Sequence, residues 1–263
     1  MRASTESYRS PRLAYSYAHH RPPVHPHIIE KLREQLGLRA KLNRALDIGC
    51  GAGLSTAALA PLANETIGIE PIIEMLAHRA AVTTQADFFV AKAEQLPFAN
   101  NSFDLLTAAG ALNYADLTQF FPEAVRVLKA DGALVIYDFS EGRKLQNDAR
   151  LENWYAVFKQ HYPAPPGYAL NIRVLDFGRY GLRLDSYEEF TIAVPMTHES
   201  YLQYALSETS VELAISNGAS EIEIRNWCHE ALIEIFGDDV REVFFDAYIA
   251  CVKLAKIYVV HDS

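Results

Sequence analysis

Short apolar runs alternate with helix-length amphipathic stretches through the first half of the chain. The run 45–48 holds a single carboxylate, Asp47, and is followed by Gly49, Gly51 and Gly53 at alternate positions. A run of this kind fits a buried parallel strand, and the glycines fit the tight turn by which a strand passes to a helix. Ahead of it, Ile28, Ile29, Leu32 and Leu36 recur on one helical face before Gly37, which predicts a helix over 26–36. Behind it, 65–70, 88–91, 103–109 and 133–139 read as strands. Residues 72–80 and 117–128 read as helices, with Pro122 bending the second or marking a late start. Asn100-Asn101-Ser102 and Ala130-Asp131-Gly132 read as turns. Strand–helix alternation over 45–139 predicts an α/β, doubly wound, mostly parallel sheet covered on both faces.

The rhythm changes after Ser140. Residues 150–161 form an amphipathic helical pattern carrying Leu151, Trp154, Tyr155 and Phe158, followed by a loop with Pro163, Pro165, Pro166 and Gly167. A strand is predicted at 190–194, helices at 198–206 and 221–235, and a closing strand at 243–254. No linker-like stretch divides the chain, so one domain over 1–263 is expected. It divides into a lid arm (1–25), a cofactor-binding core (26–140), an inserted helical cap (141–186) and the last strands and helices of the core (187–263). Residues 1–10 are polar and read as loose. Pro22, Pro23 and Pro26 predict that 15–26 lies extended across a site as a lid.

Composition narrows the partners. The chain has 263 residues, half of them apolar, and a formal net charge of −9, which disfavours nucleic acid or an anionic membrane as the main partner. Cys50, Cys228 and Cys251 are scattered and form no C-x-x-C pair, so neither a disulfide framework nor a structural zinc site is indicated. No cleavable leader or run of membrane-spanning length is visible, and a cytoplasmic protein, monomeric or homodimeric, is expected.

Spacing separates the cofactors that use a glycine loop after a first strand. No G-K-[ST] follows Gly53, which excludes a phosphate-cradling P-loop. A dinucleotide fingerprint needs its third glycine at position 54, which is Leu. The G-x-G-x-G spacing suits a smaller head group, the amino-acid end of S-adenosylmethionine, with Asp47 meeting its ammonium directly or through water. Glu70 ends the second strand about 20 residues past the loop, where an acid accepts hydrogen bonds from both ribose hydroxyls.

Four blocks in this order carry a resemblance: L-D-I-G-C-G-A-G (46–53), I-G-I-E-P (67–71), A-E-Q-L-P-F with S-F-D-L-L (93–98 and 102–106), and R-V-L-K-A-D-G-A-L (126–134). Together they resemble the class I S-adenosylmethionine-dependent methyltransferases of small-molecule type, nearest the quinone-biosynthesis and trans-aconitate methyltransferase-like subgroup. The resemblance covers about half of the chain. It implies a Rossmann-like, seven-stranded sheet and methyl transfer from S-adenosyl-L-methionine to a small-molecule acceptor. It places Gly49, Gly51, Gly53 and Asp47 at the methionine end and Glu70, with Pro71, at the ribose. Ala93 and Glu94 fall beside the adenine, and Gly110 lies in the segment after the fourth strand that faces the transferable methyl. Lys92 stands where relatives carry an adenine-binding Asp or Asn, and it cannot accept that hydrogen bond. Tyr17 and Arg21 match a Y-x-x-x-R-P pattern that folds over the cofactor, Arg21 pairing with its carboxylate.

The catalytic candidates are His20, a base near neutral pH beside the lid, and Tyr114, a ring facing the acceptor where the subgroup has His-Trp in place of Asn113-Tyr114. Plainer readings stand beside them: exposed histidines in a proline-rich arm, and a core aromatic. His198 and Glu199 read as a helix start capped by Thr197. A sulfonium methyl needs little beyond in-line approach of a nucleophile, so the lack of a catalytic motif leaves both an enzyme and a non-catalytic S-adenosylmethionine-binding regulatory or partner protein open.

Overall fold

A computed structural model describes residues 5–164 and 170–255. Pro165, Pro166 and Gly167 of the expected Pro/Gly loop, and the first residues of the arm, lie outside the described residues. In chain order the elements are α1 (Pro11–His20), α2 (Val24–Gln35), β1 (Leu42–Ile48), α3 (Leu54–Ala58), β2 (Ala63–Glu70), α4 (Arg79–Val82), β3 (Asp87–Val90), β4 (Phe103–Ala109), α5 (Leu117–Val127) and β5 (Leu128–Phe139). The two-residue β6 (Lys144–Leu145) follows, then α6 (Arg150–His161), β7 (Leu182–Met196), α7 (His198–Leu206), α8 (Thr209–Ser216), α9 (Glu221–Phe236) and β8 (Arg241–Leu254).

The sheet runs β3-β2-β1-β4-β5-β8, with β7 on the outer side of β8 and β6 paired with the start of β8. The first five strands are parallel, and β8 runs antiparallel to both β5 and β7. This is the Rossmann-like order expected, with β6 as an eighth, minimal strand. Strand order reverses between β1 and β4, which opens a crevice at their carboxyl ends. One buried cluster joins α2, α6, α7 and α9 to one face of the sheet, and a second places α5 on the other.

The arm departs from expectation. Residues 11–20 are helical: Pro11 sits at the first helical position and the Ser10 side chain accepts from the Leu13 N–H. Proline restrains only itself and the residue before it, so Pro22 extends Arg21 alone, and Pro26 falls in the first turn of α2, where its missing N–H has no partner to lose. Gly37 (φ +60°) ends α2 through paired bonds from Gly37 N–H to Glu34 O and from Leu38 N–H to Arg33 O. The expected turn at 130–132 lies inside β5, where pairing jumps from Phe103↔Leu128 to Leu105↔Ala133. Residues 75–78 form a 3-10 turn before α4 in place of one continuous helix. Helix α6 has its predicted bounds, and Leu151, Trp154, Tyr155 and Phe158 are its buried face.

Candidate cofactor and acceptor site

A cavity of about 1120 Å³ opens at the carboxyl ends of β1, β2, β4 and β5. That volume can hold a cofactor-sized ligand together with a small acceptor.

Its floor is the glycine loop. Gly49, Gly51 and Gly53 all have positive φ, and each for a different local reason. A Cβ on Gly49 would lie 2.5 Å from the Ala111 Cβ, and one on Gly53 would lie 2.8 Å from the Phe88 ring. Gly51 has nothing closer than the Met75 Cε at 3.5 Å, so bare main chain faces the cavity there. Gly49 and Gly51 line the cavity, whereas Gly53 acts behind it as the N-cap of α3.

Asp47 corrects the sequence reading. It is fully buried and outside the cavity lining. Its Oδ2 accepts from Ser55 Oγ (2.5 Å) and Thr56 Oγ1 (2.8 Å), and its Oδ1 from Thr107 Oγ1 (2.8 Å). Burial raises its pKa, and the three hydroxyls oppose the rise. Asp47 therefore ties β1 to α3 and β4 beneath the loop, buried and outside the cavity lining.

Glu70 stands at the end of β2 as expected. Its Oε2 accepts from Gly51 N–H and its Oε1 from Ile72 N–H, both at 3.0 Å, which fixes the carboxylate at the cavity wall. Each oxygen keeps a second lone pair for a ligand hydroxyl. Burial raises its pKa, against these two N–H bonds. Pro71, Ala93, Glu94 and Gly110 also line the cavity, and Glu94 Oε1 accepts from Asp116 N–H at 2.7 Å. Lys92 lines the same end. Bare main chain beside Gly51, a diol acceptor in Glu70 and a mostly acidic lining fit a nucleoside with a cationic amino-acid tail.

The roof is the N-terminal arm. Tyr17 and Arg21 line the cavity, but Arg21 is committed within the protein. Its Nη1 donates to Glu208 Oε1 and its Nη2 to Ser207 O, both at 3.0 Å, and the guanidinium stacks 4.1 Å above the Tyr17 ring. Only Nε is buried without a partner, so the expected pairing of Arg21 with a cofactor carboxylate is not its principal contact. Arg12 adds a second clamp, from Nε to Glu212 Oε2 at 2.8 Å and from Nη1 to Leu206 O at 3.3 Å. On the opposite side the Tyr8 and Tyr114 hydroxyls meet at 3.1 Å. Tyr114 thus lines the cavity as predicted. His20 does not: it sits by the Tyr15 and His19 rings, away from the lining.

The cap expectation also changes. Among the described residues of 141–186, Glu141 alone reaches the cavity. Helix α6 packs into the core with α7 and α9, and the arm and the α7–α8 corner line the cavity instead. Thr197 caps α7 in a reciprocal pair with Ser200, as the reading of His198 and Glu199 required.

Sequence reasoning missed Asp138, Glu141, His25, Tyr204 and Glu208, all of which line the cavity. Asp138 ends β5 as Glu70 ends β2, so the same strand-end logic was available for it. Burial pushes its carboxyl up to about 6, against one N–H bond from Phe139 (2.9 Å), and Glu141 pushes it further. A raised folded-state pKa means stability that is complete below about pH 4 and is lost as pH rises through 6. Asp138→Asn removes that loss. Urea unfolding is expected to show the variant more stable than the parent at pH 7.5 by up to about 3 kcal/mol, with the difference vanishing below pH 4.

Known proteins resemble this chain over the segment that carries the glycine loop. Residues 46–136 match the family described as a methyltransferase domain. The chain is 34% identical over 117 residues to the uncharacterized methyltransferase YcgJ of Bacillus subtilis, covering 40% of this chain and 46% of that protein. It is 35% identical over 114 residues to the ubiquinone/menaquinone biosynthesis C-methyltransferase UbiE of Geotalea uraniireducens, covering 40% and 48%. The chain spans about half the length of the curated relatives it matches. Among solved structures, one from Anaeromyxobacter dehalogenans, provisionally assigned as a type II methyltransferase, superposes with a TM-score of 0.66 at 20% identity, covering 89% of this chain and 97% of that one. The likeness to the methyltransferase domain family thus falls on residues 46–136, and nearly the whole chain shares the fold of the Anaeromyxobacter dehalogenans structure.

Proposed function

We propose that the chain is an enzyme that transfers the methyl group of S-adenosyl-L-methionine to a small-molecule acceptor, in the cytoplasm and as a monomer or homodimer. The observation that carries this reading is the pairing of Gly51 with Glu70: bare main chain and a fixed diol acceptor line one cavity, which also takes in Gly110 and the ends of β4 and β5. Gly49 and Gly51 would hold the amino-acid tail, Glu70 the ribose, and Ala93 with Glu94 the adenine edge.

The bound cofactor supplies an electrophilic methyl group. The protein's part is to bind, orient and exclude water. Tyr8, Tyr17 and Tyr114 close the roof, and the Arg12 and Arg21 clamps hold the arm on the α7–α8 corner. The net acidic charge, and an arm that closes the cavity over its contents, favour a small metabolite over a nucleic acid. Incubation with methyl-tritiated S-adenosylmethionine and a metabolite panel is expected to label a small molecule. Cofactor binding with no transfer to any acceptor would instead leave a non-catalytic cofactor-binding protein.

A further inference from the structure

Charge is unbalanced where the end of β5 and the α7–α8 corner line the cavity. Asp138 at the end of β5, Glu141 just beyond it and Glu208 on the α7–α8 corner lie close enough that Glu141 raises the pKa of both the others. Arg21, the cation among them, is already bound to Glu208 and Ser207 O. Among the described residues, the Asp138 carboxylate accepts only from Phe139 N–H, and Glu141 makes no side-chain hydrogen bond or ion pair. Asp138 is partly buried and lines the cavity, and among the described residues only its Oδ1 has a hydrogen-bond partner.

The groups packed around Asp138 bring no positive charge. They are Tyr137 on its own strand and Tyr248 opposite it on β8, with His25 of α2 reaching the Tyr137 hydroxyl through Nδ1 at 3.0 Å. Burial, with Arg21 nearby, pushes the His25 imidazole down to about 4, so it is neutral at pH 7. Asp138 also lies against Gly110: a Cβ there would come within 3.1 Å of its Oδ1. Gly110 belongs to the segment that the resemblance implies would face the transferable methyl.

We propose that the acceptor is a small primary or secondary amine entering as its ammonium ion, with Glu141 pairing its charge and Asp138 taking its proton as catalytic base. This rests on the methyltransferase reading above. An acceptor that reacts as an anion, such as a phenolate, carboxylate or enolate, would place another negative charge among three carboxylates, whereas an ammonium relieves their repulsion. The step balances: the ammonium loses one proton to the Asp138 carboxylate, and the freed nitrogen lone pair forms the N–CH3 bond as the S–CH3 bond breaks. The product is a methylated ammonium ion and a neutral thioether, and the Asp138 proton then passes to solvent.

The test uses the full chain saturated with S-adenosylhomocysteine, titrated calorimetrically with ethanolamine, putrescine, histamine and benzylamine, and with p-cresol, phenylacetate and succinate. Turnover with S-adenosylmethionine is measured on the same panel. Amines are expected to bind and be methylated. Glu141→Gln should weaken amine binding about tenfold. Asp138→Asn should lower kcat about 100-fold and erase the fall in rate below pH 6, while affinity for S-adenosylhomocysteine is kept. Transfer to the phenol or carboxylates, no amine bound by the S-adenosylhomocysteine complex, or an Asp138→Asn variant with unchanged turnover and pH profile would each overturn the proposal. Failure to bind S-adenosylhomocysteine at all would overturn the methyltransferase reading itself.

Discussion

Gly51→Val is expected to lower affinity for S-adenosylhomocysteine at least 100-fold, about 3 kcal/mol, while leaving the fold intact. No protein atom obstructs a side chain at this position, since the nearest is the Met75 Cε at 3.5 Å from a built Cβ. The valine methyls would instead occupy the space over the main chain where the ligand is expected to lie. Backbone strain adds a smaller effect: φ is +55°, a region a β-branched residue enters at a cost of roughly 1–2 kcal/mol. Calorimetry and thermal unfolding on one preparation separate the two. Gly49→Ala provides the contrast, because its Cβ would meet that of Ala111 at 2.5 Å and the loop itself must move. Unchanged affinity in Gly51→Val would remove the glycine loop from the site.

Arg21→Ala should destabilise the protein by about 3 kcal/mol at pH 7.5, because it strands a charged Glu208 whose side chain is only 15% exposed. It also uncovers the Tyr17 ring and leaves the Ser207 carbonyl without its guanidinium donor. Burial already raises the Glu208 pKa, with Arg21 opposing the rise. Without Arg21 the pKa climbs further, so stability is lost as pH increases through it and is regained as Glu208 protonates. Urea unfolding is therefore expected to show a large deficit at pH 7.5 and a smaller one at pH 5. A deficit independent of pH would mean that packing, and not the stranded charge, dominates.

The parts legible in the sequence are those where local chemistry decides the structure. A buried parallel strand followed by glycines has few other readings, so β1, its loop and Glu70 are found where expected. Helices α6 and α7 match to the residue because an amphipathic period and a Thr197 cap define them. Misreadings arise where tertiary packing decides. Residues 11–26 hold four prolines, yet 11–20 is helical, since Pro11 and Pro26 occupy first turns that tolerate them. Strand β7 spans 15 residues, but its outward face is polar and only its apolar end signals a strand. Helix α8 has no side-chain cap to announce it.

The same division runs through the site. Asp47 stands in the strand-end motif that carries the resemblance, but its three hydroxyl partners come from two elements that only the fold brings together. Arg21 is in the motif as well, yet its partner Glu208 lies 187 residues away in sequence. Asp138 and Glu141 are ordinary strand-end acids until the arm and the α7–α8 corner close a cavity over them.

Titration of the unmodified chain with S-adenosylhomocysteine decides whether this cavity binds S-adenosylmethionine. Saturable one-to-one binding, lost in Gly51→Val, with no binding of reduced nicotinamide dinucleotide, is the predicted result. No heat with S-adenosylhomocysteine, together with saturable binding of the nicotinamide dinucleotide, would contradict it.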